Sequence, residues 1–222
     1  MKFICCGDSF FSLDPNFPNT HFTEVLRDKH NWQYKNFAKL GASNFMIALQ
    51  IDYAIKNKPD LIVFGFSSVD RMEIPISNYQ YPEGIKNIVY ESHTVKPLFY
   101  EEQKTKTISQ SFPNIEKTEA IKLYISELYD SELKRQQDFY IASSILYKLD
   151  KLKIPYIFTR GGLSGPDWSE WAENEIDVKR GNPWRWTDGT PVYHSSPETQ
   201  IKLSDVWFSK IEELNLISNI KV

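Results

Sequence analysis

Hydrophobic positions along the chain repeat with two alternating periods. Residues 2–6 (KFICC) form a short apolar run that stops at Gly7, the pattern of a buried strand. Between Asn19 and His30 the spacing becomes helical, with Phe22, Val25 and Leu26 on one side and Asn19 or Thr20 as the predicted N-cap. Residues 32–38 (WQYKNFA) alternate and predict a second strand. Gly41 opens a polar turn, and Ser43 caps a predicted helix that runs to about Lys56. Residues 59–66 (PDLIVFGF) hold a continuous apolar run, as expected of a central parallel strand covered on both faces.

The alternation then breaks. Residues 72–115 carry Pro75, Pro82, Pro97 and Pro113 with several tyrosines and no firm period, and they read as an insertion or lid after the third strand. A helical pattern returns over about 117–151, with Ile121, Leu123, Ile125, Leu128, Leu133, Phe139, Ile145, Leu146 and Leu149 as its apolar side. Residues 154–162 (IPYIFTRGG) predict another strand, ended by glycines. A tryptophan-rich loop with Trp168, Trp171, Trp184, Trp186 and Tyr193 leads to a closing amphipathic helix. There Ile201, Leu203, Val206, Trp207, Phe208, Ile211 and Leu214 are the expected core contacts.

Strands alternating with helices predict one three-layer α/β domain over residues 1–222 with a mostly parallel sheet. Ligands of such sheets bind at the carboxyl ends of the strands. Small or polar residues follow the strands there: Gly7-Asp8-Ser9, the turn at Gly41, Gly65-Phe66-Ser67-Ser68, and Thr159-Arg160-Gly161-Gly162.

Composition narrows the function classes. Net charge is −3, so no basic field points to nucleic acid as the main partner. No apolar run approaches the roughly 20 residues of a membrane span, and MKFICC lacks the long apolar core of a signal peptide, so a cytoplasmic protein is expected. The two cysteines, Cys5 and Cys6, are neighbours on opposite faces of a strand and do not bridge each other. They read as small buried hydrophobes. Four scattered histidines form no ligand pair, so neither a metal nor a cofactor is expected.

A strand ending in Gly7-Asp8-Ser9, a glycine after the second strand, a Gly-x-polar turn after the third and a late His194 before an amphipathic helix resemble the SGNH (GDSL-type) hydrolases. The resemblance runs over nearly the whole chain, the insertion apart. The runs GDSF, GASNFMIALQIDYAI and DLIVFGFSSVDR also resemble SGNH-type proteins carried by tailed phages, which extends the expected location to a host cytoplasm or a virion. The resemblance implies a flavodoxin-like α/β/α fold and cleavage of a carboxylic ester, with a small-molecule or carbohydrate ester as substrate. It implies Ser9 as nucleophile, His194 as base, and an oxyanion hole from the Ser9 and Gly41 amides. The family's block-three Asn position holds Ser67, so Ser67 or Asn44 would complete the hole. The family's Asp three residues before the histidine is replaced by Pro191, which leaves Asp188, six residues before His194, to orient the ring. A serine hydroxyl donates a hydrogen bond but reaches less far than an amide. These departures keep two further readings open: a binding or assembly protein with weak or no catalysis, and an acyltransferase. Arg160 at a strand end is a lesser candidate for a substrate contact. Asp8 reads as a turn residue, Asp70-Arg71 as a surface ion pair ahead of a substrate contact, and His21, His30 and His93 as solvated or locally bonded.

Overall fold

The first strand, β1 (Lys2–Cys6), is apolar on both faces and lies inside a parallel sheet. A computed structural model describes residues 1–13, 17–69, 71–75, 92–95, 123–124, 127–161, 163, 168–176 and 195–216. After β1 come α1 (Phe22–His30), β2 (Gln33–Asn36), α2 (Asn44–Lys56) and β3 (Leu61–Gly65). Beyond β4 (Met72–Pro75) and β5 (Ser92–Val95), the chain forms α3 (Ser131–Leu152), β6 (Tyr156–Thr159), a 3-10 turn (Ser169–Trp171) and α4 (Pro197–Glu213).

The main sheet has the order β2-β1-β3-β6, all parallel. On the free edge of β6, Phe158 N–H donates to Asn174 O and Ile176 N–H donates to Phe158 O, a parallel bridge that adds a fifth position. The order 2-1-3-4-5 is that of flavodoxin-like doubly wound folds.

Pleating sorts the side chains into two cores. Phe3 and Cys5 of β1, Leu61 and Val63 of β3 and Ile157 of β6 pack with Phe22 and Leu26 of α1 and Leu203, Trp207 and Ile211 of α4. Ile4, Cys6, Ile62, Phe64, Tyr156 and Phe158 face the other way, onto Met46, Ile47 and Ile51 of α2 and Ile145, Leu146 and Leu149 of α3. The fold is therefore the expected three-layer α/β/α arrangement. All four carboxyl ends open on one edge.

Several local expectations are corrected. The cap of α1 is His21, whose extended backbone suits a cap, whereas Asn19 takes a left-handed φ of 63°. The Glu24 carboxylate accepts from the His21 N–H and completes a capping box. Helix α3 starts at Ser131 because the Asp130 carboxylate accepts from the N–H groups of Glu132 and Leu133. Its buried stripe is Asp138, Ala142, Ile145, Leu146 and Leu149, so Leu133 faces solvent, as do Leu123 and Leu128 before it. Ile201 of α4 is likewise exposed. Within the stretch that shows no period in sequence, β4 and β5 pair antiparallel in a separate two-stranded sheet. The rest of the 72–115 insertion, including any lid, lies outside the described residues, as do Ile121 and Ile125.

Candidate active site

Ser9 sits half-buried in the turn that leaves the carboxyl end of β1. Asp8 builds that turn. Its Oδ1 accepts from Phe10 N–H at 3.0 Å, and its carbonyl accepts from Phe11 and Ser12 N–H at 3.1 and 3.0 Å. The Asp8 carboxylate is buried, and Oδ2 takes a hydrogen bond from the Ser67 hydroxyl at 3.1 Å and an ion pair from Arg71 at 3.0 Å. A buried carboxylate is tolerated when paired and hydrogen-bonded in this way. Arg71 thus points into the site rather than out to the surface, and Asp70 lies outside the described residues. The Arg71 side chain is only 14% exposed, and its Nη1 also donates to the Ala42 carbonyl at 2.8 Å.

Two glycines let the turn close. Gly7 has φ 148°, a region that side chains avoid. A Cβ at Gly65 would lie 2.2 Å from the Phe11 ring, which packs over the end of β3. Phe11 in turn meets Phe22 and Trp207 edge-on.

Helix α2 grips two strand ends with side-chain amides. Gln50 accepts from Gly7 N–H at 2.7 Å and donates to Gly7 O at 3.1 Å. Asn44 accepts from Ser67 N–H at 2.7 Å and donates to Ser67 O at 3.1 Å. Each amide replaces a neighbouring strand where the ladder stops. The Asn44 amide also donates to Asp138 at 3.0 Å, and Asp138 pairs with Lys134. A buried polar path therefore runs from α3 through Asn44 and Ser67 to Asp8. The turn after β2 lies alongside, where Lys39 N–H donates to Gly7 O at 3.1 Å. Gly41 in that turn has φ 72°, and no described residue accepts a hydrogen bond from its N–H.

Of the residues singled out in the sequence, Ser9, Gly41, Asn44 and Ser67 gather at the carboxyl edge around β1 and β3. The described hydrogen bonds of the Ser67 hydroxyl and the Asn44 amide run to Asp8, to Ser67 O and to Asp138. His194 and Asp188 lie outside the described residues, together with Trp184, Trp186 and Tyr193. Trp168 and Trp171 are buried in the core and pin their loop to the domain. Arg160 pairs with Glu175 and stands over the Trp168 ring at 5.9 Å.

Of the two expectations for His21, the locally bonded one holds, and the ring is buried. Its Nε2 donates to the Phe10 carbonyl at 3.0 Å, tying α1 to the Ser9 turn, and burial lowers its pKa to about 4. Burial pushes the Cys5 and Cys6 thiols up, which keeps them protonated and inert. Among the described residues, no group of histidine, cysteine or carboxylate side chains is arranged to hold a metal ion, and no helix is long and apolar enough to cross a membrane.

Three supporting residues, Gln50, Asp138 and Lys134, do not stand out in the sequence as site residues. A signal for the first two was present. Gln50 interrupts the buried stripe of α2, and Asp138 falls on the Ala142-Ile145-Leu149 stripe of α3, where a polar residue needs a partner.

No family model and no curated protein matches the chain. Among solved structures, it is similar to a protein assigned to the G-D-S-L lipolytic family from Desulfitobacterium hafniense, at 10% identity and TM-score 0.49 over 94% of this chain and 98% of that one. It is also similar to a lipase from a goat rumen metagenome, at 14% identity and TM-score 0.47 over 95% and 97% of the two chains. A third is an active-site mutant of a family two carbohydrate esterase from Clostridium thermocellum, at 11% identity and TM-score 0.38 over 97% and 64%. Likeness at these scores assigns no activity, and the chemistry open to this chain is set by its own residues.

Proposed function

We propose that this chain is a serine esterase that cleaves a carboxylic ester, with a carbohydrate O-acyl group as the leading substrate class. One observation carries the reading. Ser9 lies in a tightly held, half-buried turn at the carboxyl end of a central parallel strand, beside the Gly41 turn with its N–H untaken among the described residues.

In the proposed reaction, Ser9 Oγ attacks the acyl carbon while His194 takes its proton. The alcohol leaves with that proton, and water, deprotonated by His194, releases the acid. Asp188 is proposed to orient the His194 ring. The Ser9 and Gly41 amides are proposed to hold the oxyanion, since preorganised donors aimed at developing charge lower the barrier most. Ser67 and Asn44 would act mainly by holding the end of β3 that flanks them. A hole with two donors is expected to be slower than one with three, by about 10²–10³. The sugar preference draws on Trp184, Trp186 and Tyr193, whose ring faces would stack on a pyranose.

The same engagement of the Ser67 hydroxyl by Asp8 favours a second reading, a binding module on this fold with little catalysis. A fluorophosphonate probe separates the two. An esterase labels at Ser9, loses labelling in Ser9→Ala and His194→Ala, and turns over p-nitrophenyl acetate above the Ser9→Ala background. Absence of both signals in the unaltered protein rejects the esterase.

A further inference from the structure

We infer that Arg71 is a positioning residue that locks the Ser9 turn to the Gly41 turn and so sets the geometry between nucleophile and oxyanion donor. The inference rests on the esterase reading and adds to it a residue to which the resemblance gives no role. Both halves of the site are loops. The Ser9 turn follows β1 and the Gly41 turn follows β2, and neither is a regular element whose own ladder fixes its place. Arg71 comes from a third segment, just before β4. Its Nη1 carries two N–H groups. The nitrogen forms an ion pair with Asp8 Oδ2 at 3.0 Å and donates to Ala42 O at 2.8 Å. Asp8 precedes Ser9 in sequence, and Ala42 follows Gly41. A single nitrogen therefore bridges the two turns, each at the residue adjoining its proposed catalytic group.

The bridge is built to be rigid. Asp8 Oδ1 is held by Phe10 N–H and Oδ2 also takes the Ser67 hydroxyl, so the carboxylate cannot swing with Arg71. The Ser67 backbone is in turn clamped by Asn44. The charge-assisted contact is shielded, with Asp8 1% and Arg71 14% exposed, which makes it stronger than a surface pair. Beside the bridge, the Lys39 N–H of the second turn donates to Gly7 O. A drift of about 1 Å between reacting groups costs about 10²-fold in rate.

The test uses the full chain, p-nitrophenyl acetate turnover and the rate of fluorophosphonate labelling. Removing Arg71 alone strands a buried Asp8 charge, so the main variant is the double change Asp8→Asn with Arg71→Met, which removes both charges together. It is expected to keep a cooperative melt and to lose about 10²-fold in kcat, with KM changed less than about threefold. Arg71→Lys keeps the charge on a shorter stem and is expected to regain part of kcat. A purely structural role predicts a lower Tm but an unchanged kcat at a temperature where the protein is folded. If the unaltered protein labels at Ser9 and both variants keep kcat within about threefold, the inference is overturned and the esterase reading stands. If the double variant fails to melt cooperatively, Arg71→Lys decides by the same kcat criterion. If the unaltered protein shows no Ser9-dependent signal, the esterase reading fails and the inference with it.

Discussion

At the scale of single residues, the hydrogen bonds around His21 all have a fixed direction. The Phe10 carbonyl can only accept, so Nε2 carries the proton and Nδ1 is the acceptor. Thr23 Oγ1 then donates to Nδ1 at 2.7 Å, Tyr34 OH donates to Thr23 Oγ1 at 2.6 Å, and Asn36 Nδ2 donates to Tyr34 OH at 2.7 Å. The chain of donors ends on a neutral ring, and burial holds the ring's pKa down at about 4 from 6.5. Below pH 6.5 the unfolded chain binds a proton at this ring that the folded chain refuses until about pH 4. The stability contributed by the neutral ring is therefore whole above pH 6.5 and is lost as pH falls through that window, on the order of 3 kcal/mol in all. His21→Asn, which still caps α1, is expected to flatten the slope of urea-melt stability against pH between 6.5 and 4. An unchanged slope rejects the assignment.

At the scale of elements, the ends of β1 and β3 are held by groups that no ladder supplies. Gln50→Leu keeps most of the packing of α2 but leaves both the Gly7 N–H and the Gly7 carbonyl without their partner amide. The Gly7 carbonyl keeps the Lys39 N–H, so the expected loss is that of the stranded Gly7 N–H, about 1–3 kcal/mol, read from urea melts. Gly65→Ala drives a methyl into the Phe11 ring and is expected to cost about 1–3 kcal/mol. Phe11→Leu in that background is expected to recover part of it, because the clash is with the ring itself. Full additivity of the two changes would mean that the contact carries no strain.

For the whole molecule, the layering and the parallel sheet were legible because strong apolar runs such as Leu61–Phe64 demand cover on both faces, and helices of matching length stand between them; the strand order followed only from the family resemblance. The position of Ser9 at the carboxyl edge was legible for the same reason. The environment of Asp8 was not, because Arg71, Ser67, Asn44 and Asp138 come from distant segments and only the folded chain brings them together. Leu123, Leu128 and Leu133 misled in the opposite direction: apolar residues before and in the first turn of a helix carry no sign of which side the sheet will lie on. The layering also makes a chemical prediction. Cys5 and Cys6 face opposite cores, so both thiols are expected to resist Ellman's reagent in the native protein and to react together once denaturant opens the sheet. Stepwise reaction at intermediate denaturant would show that the two cores open separately.

Gln50 and Asn44 stand six residues apart on one helix, a rise of about 9 Å, and they grip neighbouring strands. Helix α2 therefore acts as a ruler for the carboxyl edge of the sheet. A one-residue insertion or deletion between these positions would rotate one amide by about 100° and break its grip. Among homologues of this chain, length changes are expected to accumulate in loops and to be absent between positions 44 and 50.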